Sequence, residues 1–534
     1  MSTTVRDATF DVFRRHGLTT LFANPGSTEI PFLAGLPDDL QFVLALHEAS
    51  VVGMATGWAI GRNEPALALL HTTAGLGNAV SAIATARVNR APVVVVVGQQ
   101  DRRHLALEPF LAGRLDKLAG DYPVWVDQPV RAQDVPGAIA RAAHEATTHR
   151  GPALVIVPMD DWAAPAGDAE PAAADRVLRA ASVGPELAEL TALLAGAASP
   201  AIVVGAGADD AETWAALVAL AERLVAPVWQ EAFSARAGFP QDHALFAGHL
   251  PADRTRLRAT LKPYDVVLVV GAPVLRQYPF EEGRLASAST RFAVITQDPV
   301  EAHRSPSVLA LIAPPAAACA ALAHALPQRD APAPMPYEPP PPLAPPGEGE
   351  PLRAGHVLQA LAERVPRNAT VIEETPSSRP ELLARVLARE PLGSLSPAMG
   401  GLGFALPAAI GLRMGSPERP VVAVVGDGSS LYSIQALWSA VEYQVGTVFV
   451  ILANGGYAVM DRLAEQHGGG RSPWPAVGHT DVAGLAESFG CAARRISSHE
   501  VLLDTFDEVL PVLGERRTPL LIQVAIEPDP DFAP

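Results

Sequence analysis

The chain has 534 residues, a formal net charge of −17 and apolar side chains at 49% of positions. One hydrophobic core rarely organises that much chain, so several domains are expected, and the acidic balance argues against nucleic acid or an anionic membrane as the main partner. The only lysines are Lys117 and Lys262, and the only cysteines, Cys319 and Cys491, lie far apart, which leaves little room for Schiff-base chemistry, a structural disulfide or a cysteine-based metal site.

Taken in order, Met1-Ser2-Thr3-Thr4-Val5-Arg6-Asp7 carries no apolar targeting core, and no window of about 20 apolar residues is free of charge or proline. A cytoplasmic location and no membrane span are therefore expected. Thr20-Leu21-Phe22 is strand-like and runs into Asn24-Pro25-Gly26-Ser27-Thr28-Glu29. Ala66–Leu70, Val93–Val97 and Ala153–Val157 are short continuous apolar runs, the signature of parallel strands buried on both faces. Trp162 to Asp175 is rich in Ala, Pro, Gly and Asp and reads as a linker. Ala201–Val204, Val266–Val270 and Phe292–Ile295 repeat the buried-strand pattern. Between them, Gly205-Ala206-Gly207 has two glycines of a dinucleotide fingerprint but not the third. Residues 327–351, with four consecutive prolines at 339–342, read as a second linker. Val371-Ile372, Val421–Val425, Val448–Leu452 and Leu520–Val524 follow. Strand–helix alternation in all three parts predicts an α/β protein of three doubly wound parallel-sheet domains, over residues 1–163, 180–326 and 352–534.

The most informative segment lies in the third part. A strand ends at Gly426-Asp427-Gly428-Ser429-Ser430, and a second ends at Asn454-Gly455-Gly456, 27 positions after Asp427. Two parallel strands joined by a helix bring both ends to one sheet edge. Asp427, Asn454 and the Gly456 carbonyl then form a hard oxygen set suited to Mg²⁺ or Ca²⁺. Gly428 and Ser429 open a helix, and the glycines let a diphosphate approach the backbone. Alone, Gly-Asp-Gly is commonly only a strand-to-helix turn. Here it stands with Leu46-His47-Glu48-Ala49-Ser50, with Leu70-His71-Thr72-Thr73-Ala74-Gly75-Leu76-Gly77-Asn78, and with Gly400-Gly401-Leu402-Gly403-Phe404-Ala405-Leu406-Pro407.

Together these ordered motifs resemble the thiamine-diphosphate-dependent 2-keto-acid decarboxylases, benzoylformate decarboxylase in particular, from about residue 5 to 528. The resemblance implies a pyrimidine-binding N-terminal domain, a central domain and a diphosphate-binding C-terminal domain. It implies thiamine diphosphate and Mg²⁺ (or Ca²⁺) as cofactors, with the two cofactor halves held by different subunits, hence a homo-oligomer built as a dimer of dimers. Glu48 matches the carboxylate that faces the aminopyrimidine, where burial would strengthen its hydrogen bond. Ser27 matches a serine that binds the substrate carboxylate, and His71 a histidine that moves protons near neutral pH. Asn24, Pro25, Gly26, Thr375, Ser377, Gly400, Leu402, Gly426, Asp427, Gly428, Ser429, Asn454, Gly456 and Tyr457 fall at cofactor-binding positions. Leu402 takes the place of the bulky residue that bends the cofactor.

Several positions depart from the family. Ala453 replaces the first residue of an Asn-Asn pair, and Pro376 enters the segment near the diphosphate. Tyr278 stands where a second histidine is expected, and a phenol is a far weaker base at neutral pH. Ser396, Met460 and Leu463 stand at substrate-pocket positions, with Ser396 and Leu463 replacing aromatic rings. The implied activity is non-oxidative decarboxylation of a small 2-keto acid to an aldehyde and CO₂. A carboligase or lyase, or a non-catalytic protein that binds the same cofactor, would carry the same motifs. A flavin-dependent acetolactate synthase fits less well, since the middle part shows no flavin signature.

Overall fold

The computed structural model describes residues 3–167, 172–180, 182–347, 349–466, 468 and 473–528. Three six-stranded sheets, parallel throughout, follow one another along the chain. The first contains β1 (Thr20–Asn24), β2 (Gln41–Leu44), β3 (Ala66–Leu70), β4 (Val93–Gln99), β5 (Trp125–Asp127) and β6 (Pro152–Pro158). The second contains β7 (Pro200–Val204), β8 (Val228–Gln230), β9 (Phe246–His249), β10 (Val266–Val270), β11 (Arg291–Thr296) and β12 (Leu309–Ile312). The third contains β13 (Thr370–Glu374), β14 (Ser394–Leu395), β15 (Val421–Gly426), β16 (Val448–Ala453), β17 (Ala492–Ile496) and β18 (Leu520–Ala525). Every apolar run read from the sequence lies within one of these strands.

The first sheet is ordered β2-β1-β3-β4-β6-β5 and the third β14-β13-β15-β16-β18-β17. Counted within each sheet, the two orders are the same, so the first and third parts share a topology that their sequences do not display. In both, the chain leaves the first strand in opposite directions, and the crevice beyond the carboxyl ends of the first and third strands is the expected ligand position. The residues after β1 and β3 are Pro25–Glu29 and His71; those after β13 and β15 are Thr375 and Asp427.

These two sheets share one core. The Glu48–Arg62 helix crosses the Ala405–Gly415 helix, and apolar residues of both sheets join in a single cluster around them. The crossing is close enough to exclude side chains. A Cβ on Gly57 would lie 2.0 Å from the Ala408 carbonyl oxygen, and one on Gly411 would lie 1.8 Å from that of Met54. The central sheet has its own cores on its two faces. The backbone at Gly205 and Gly207 is bonded inward, to the Val270 and Gly271 carbonyls, so this pair is packing rather than a phosphate cradle.

Cys319 and Cys491 are both buried and free, in separate cores, and burial pushes both thiols up to about 12. The linker expectation needs two corrections. Trp162 sits in a short turn, Asp161–Ala163, and packs against Phe32 at 4.5 Å, so it belongs to the first core; residues 168–171 of that stretch lie outside the described residues. The described part of 327–351 has no helix or strand, yet it is not free: Tyr337 packs on Phe246 and donates its hydroxyl to the Ala384 carbonyl at 3.0 Å. No helix among the described residues is long and apolar enough to cross a membrane.

Candidate active site

At the carboxyl end of β15 the chain turns at Gly426 into the short helix Asp427–Ser430. Its neighbour β16 ends beside it, so Asp427 and Asn454 meet as the spacing predicts. Asp427 Oδ2 accepts the Gly455 N–H at 2.7 Å and Oδ1 accepts the Gly428 N–H at 2.8 Å. Burial raises this carboxyl above its ordinary range, and the two backbone donors offset only part of that rise. Asn454 Oδ1 accepts the Gly456 N–H at 3.0 Å. These residues line a cavity of about 440 Å³ together with Gly426, Gly428, Ser429, Gly456 and Tyr457. Thr375, Ser377, Gly400, Leu402 and Met460 complete the predicted set on its wall.

The residues fit a metal-bound diphosphate. The donors are a buried carboxylate, an amide oxygen and backbone groups, a hard set with lone pairs to spare. Thr375 Oγ1 is buried on the cavity wall with no hydrogen-bond partner among the described residues, which marks a polar group awaiting a ligand. A cation there would hold Asp427 ionised against its burial.

Glu374, which the motifs did not single out, organises the same wall. It is 2% exposed. Its Oε1 accepts Gly403 N–H at 2.7 Å, and its Oε2 accepts Phe404 and Ala405 N–H at 2.8 and 2.7 Å. These are free donors at the start of the Ala405–Gly415 helix. The bonds therefore anchor the loop that carries Gly400 and Leu402. Burial raises the Glu374 carboxyl to about 7 against those donors.

The second cluster lies at the switch point of the first sheet. Glu48 opens its helix, buried at 9% exposure, and accepts Asn24 Nδ2 at 3.2 Å and Asn78 Nδ2 at 3.0 Å. Both oxygens are thus oriented by amides. His71 follows β3 directly, and its Nδ1 lies 2.9 Å from Glu29 Oε2 and 3.0 Å from Thr28 Oγ1. A carboxylate only accepts, so the proton is assigned to Nδ1 and Nε2 is left as the basic nitrogen. Glu29 also accepts Gly26 N–H at 2.8 Å and is 1% exposed. Gly98 on β4 makes the space: a Cβ there would lie 1.7 Å from Glu29 Oε1. Ser27 is exposed between Gly26 and Thr28. Glu29 closes the Asn24–Glu29 run, five residues beyond the end of β1, and nothing in that spacing marks it as a partner of His71.

This pairing has a measurable consequence. Glu29→Ala should lower turnover by on the order of tenfold or more, with little change in KM, because the imidazole loses the acceptor that fixes its tautomer. Steady-state kinetics checks it, and an unchanged kcat would show that His71 needs no such support.

Other expected pocket residues are not brought together. Tyr278 is 60% exposed on the central domain and does not line the cavity. Ser396 is buried at the junction of the domains, where its hydroxyl donates to the Ser234 carbonyl at 3.2 Å and its own carbonyl accepts Asn89 Nδ2 at 3.1 Å. Asn89 is fully buried, and its Oδ1 also accepts the Ala398 N–H at 3.0 Å, which ties the first domain to the loop before Gly400. Ser396 thus serves a domain junction rather than the cavity wall, because its hydroxyl is already committed. Leu463 lies half-buried one turn beyond Met460 on the Ala458–Gln466 helix. Within one chain, none of Asn24, Glu48 and His71 lines the Asp427 cavity.

Models of the thiamine pyrophosphate enzyme N-terminal, central and C-terminal domains match residues 3–119, 187–322 and 382–524. The three modules and the two site halves define the class, a three-domain thiamine-diphosphate enzyme. The chain is 39% identical to benzoylformate decarboxylase of Pseudomonas aeruginosa, over 98% of this chain and 100% of that one. Among solved structures, the thiamine diphosphate-dependent 4-hydroxybenzoylformate decarboxylase of Rhodococcus jostii RHA1 matches with TM-score 0.93 and 34% identity, covering 99% and 100% of the two chains. Benzoylformate decarboxylase of Polynucleobacter necessarius matches with TM-score 0.92 and 30% identity, covering 99% of each. The chain belongs to the thiamine-diphosphate-dependent 2-keto-acid decarboxylase family, in its benzoylformate-decarboxylase-like branch.

Proposed function

We propose that this carboxy-lyase converts an aryl 2-keto acid to an aldehyde and CO₂, with Mg²⁺ or Ca²⁺ as its metal, at sites shared between two copies of the chain in a cytoplasmic dimer of dimers. The observation that carries the shared site is that each chain has both half-sites, yet the Glu48 cluster does not reach its own Asp427 cavity. Exposed apolar side chains flank both halves, Leu46 beside Glu48 and Met399 and Tyr432 beside the cavity, as expected for surfaces that a second copy covers. The aryl substrate rests on the similarity to the two benzoylformate enzymes and the hydroxybenzoylformate enzyme.

Thiamine diphosphate, when bound, supplies the carbon nucleophile and the electron sink that loss of CO₂ requires. The chain supplies position and protons. Asp427, Asn454 and the Gly456 carbonyl would hold the metal, and the N–H groups at Gly428 and Ser429 the diphosphate. Leu402 would set the bend between the rings from a loop fixed by Glu374. Glu48, aimed by Asn24 and Asn78, would share a proton with the aminopyrimidine. Ser27 would bind the substrate carboxylate. His71 would give the product carbon its proton through Nε2.

Product analysis with benzoylformate, 4-hydroxybenzoylformate, phenylpyruvate and pyruvate, each with and without benzaldehyde, tests the reaction. Free aryl aldehyde with stoichiometric CO₂ is expected; acyloin as sole product would instead establish a carboligase. The metal assignment has its own test. Asp427→Ala should weaken Mg²⁺-dependent cofactor binding by about tenfold or more, since a charged ligand is lost. Titration calorimetry with unchanged affinity would remove Asp427 from the metal site.

A further inference from the structure

At the opposite edge of the two outer sheets, beyond the amino ends of their strands, lies a larger cavity of about 760 Å³. Its floor is formed by the last turns of the crossing Glu48–Arg62 and Ala405–Gly415 helices, and its sides by the segments before β1, β16 and β18. The wall carries Arg62, Arg413, Arg516 and Arg517, against a single carboxylate, Glu64, which is bonded to Arg62 Nε at 2.8 Å. Three positive charges are thus left unbalanced on the wall of a protein whose net charge is −17. Glu418 lies near Arg413, and Glu508, already bonded to Arg494, lies near Arg516.

Arg516 and Arg517 keep donors free for a ligand, beside an Arg413 already committed to the backbone. Arg413 is 3% exposed, and its guanidinium is splayed by bonds to the Arg419, Gly514 and Arg516 carbonyls. Arg516 Nε is buried with no hydrogen-bond partner among the described residues. Arg517 is exposed and makes no hydrogen bond or ion pair among the described residues. Thr19, Thr20 and Gln41 add neutral polar groups. The contrast with the cavity between the first and central domains is instructive. There Arg87, Arg90 and Arg276 are each paired, with Asp298, Glu301 and Glu231, and only Arg304 is left over on the wall.

We infer that the Arg413–Arg516–Arg517 cavity is a second ligand site, separate from the cofactor site, that takes a small organic polyphosphate. Guanidinium groups match phosphate oxygens in charge and geometry. The volume is that of a small-molecule site and exceeds what one phosphate fills. Because the cavity touches the far ends of the two helices that begin near Glu48 and Leu402, occupancy can bias the active site from a distance. This inference does not depend on the substrate proposed above.

The full-length enzyme, saturated with thiamine diphosphate and Mg²⁺ so that its cofactor site is filled, is titrated calorimetrically with inorganic tripolyphosphate, ATP and citrate. We expect one site per chain for tripolyphosphate or ATP with Kd below about 1 mM, weakened at least about tenfold in Arg517→Ala and in Arg516→Gln. Binding to ATP but not tripolyphosphate would place the nucleoside in the cavity; equal binding would mean that the phosphate chain suffices, and either supports the site. The exposed Arg517→Ala leaves the fold and the basal turnover intact, so its effect isolates the cavity. No binding by the wild type, equal affinity in both variants, or citrate bound as tightly as tripolyphosphate overturns the inference.

Discussion

Glu48→Ala is expected to reduce decarboxylation turnover by about 10²-fold or more, the scale for a positioned acid–base group. The argument rests on how the carboxylate is held. It is buried at the first turn of its helix, and an amide from β1 and another from the Thr72–Val88 helix each donate to one of its oxygens. A group needed only for helix capping would tolerate glutamine, which keeps an acceptor at the same place. A group needed to share a proton would not. Glu48→Gln should therefore be nearly as inactive as Glu48→Ala while retaining more of the wild-type thermal stability. Turnover in Glu48→Gln within a few fold of wild type would remove the residue from the proton chemistry.

The second large effect is structural. Gly411→Ala should destabilise the protein by about 3 kcal/mol or more, at or beyond the upper end for overpacked cores. The added methyl would meet backbone atoms of Met54, which cannot rotate aside as a side chain could. The two helices must then separate, and Gly57 already sits equally close to Ala408 from the other side. The helices begin near Glu48 and near Leu402, so their separation also displaces both half-sites. A thermal melt and a turnover measurement below the transition read the two consequences separately. A melting temperature within about a degree of wild type would mean that the crossing yields easily.

Much of this was legible in the chain because burial on both faces writes a continuous apolar run. The inner strands β3, β4, β10, β15, β16 and β18 all announced themselves in that way. Outer strands did not. β5 is only partly buried throughout, β17 nearly so, and β14 is two residues long, so neither hydrophobicity nor length separates them from loops. Asp427 and Asn454 could be paired from spacing because neighbouring parallel strands end together. Glu29 and Glu374 gave no comparable signal. Each works through partners distant in the chain: His71 lies 42 positions from Glu29, and the Gly403 amide 29 positions from Glu374.

The order of residues alone determined the class of fold and the pairing of Asp427 with Asn454 at one sheet edge, because these depend on local periodicity and on residues grouped at strand ends. Tertiary structure decided what depends on contacts between remote segments. It gave the outer sheets one strand order and a shared core, turned Ser396 from pocket wall into domain junction, and supplied His71 with its carboxylate. It also gathered arginines from positions 62, 413, 516 and 517 around one cavity. Pairing of that kind is set by the path of the backbone through space, and no spacing along the chain encodes it.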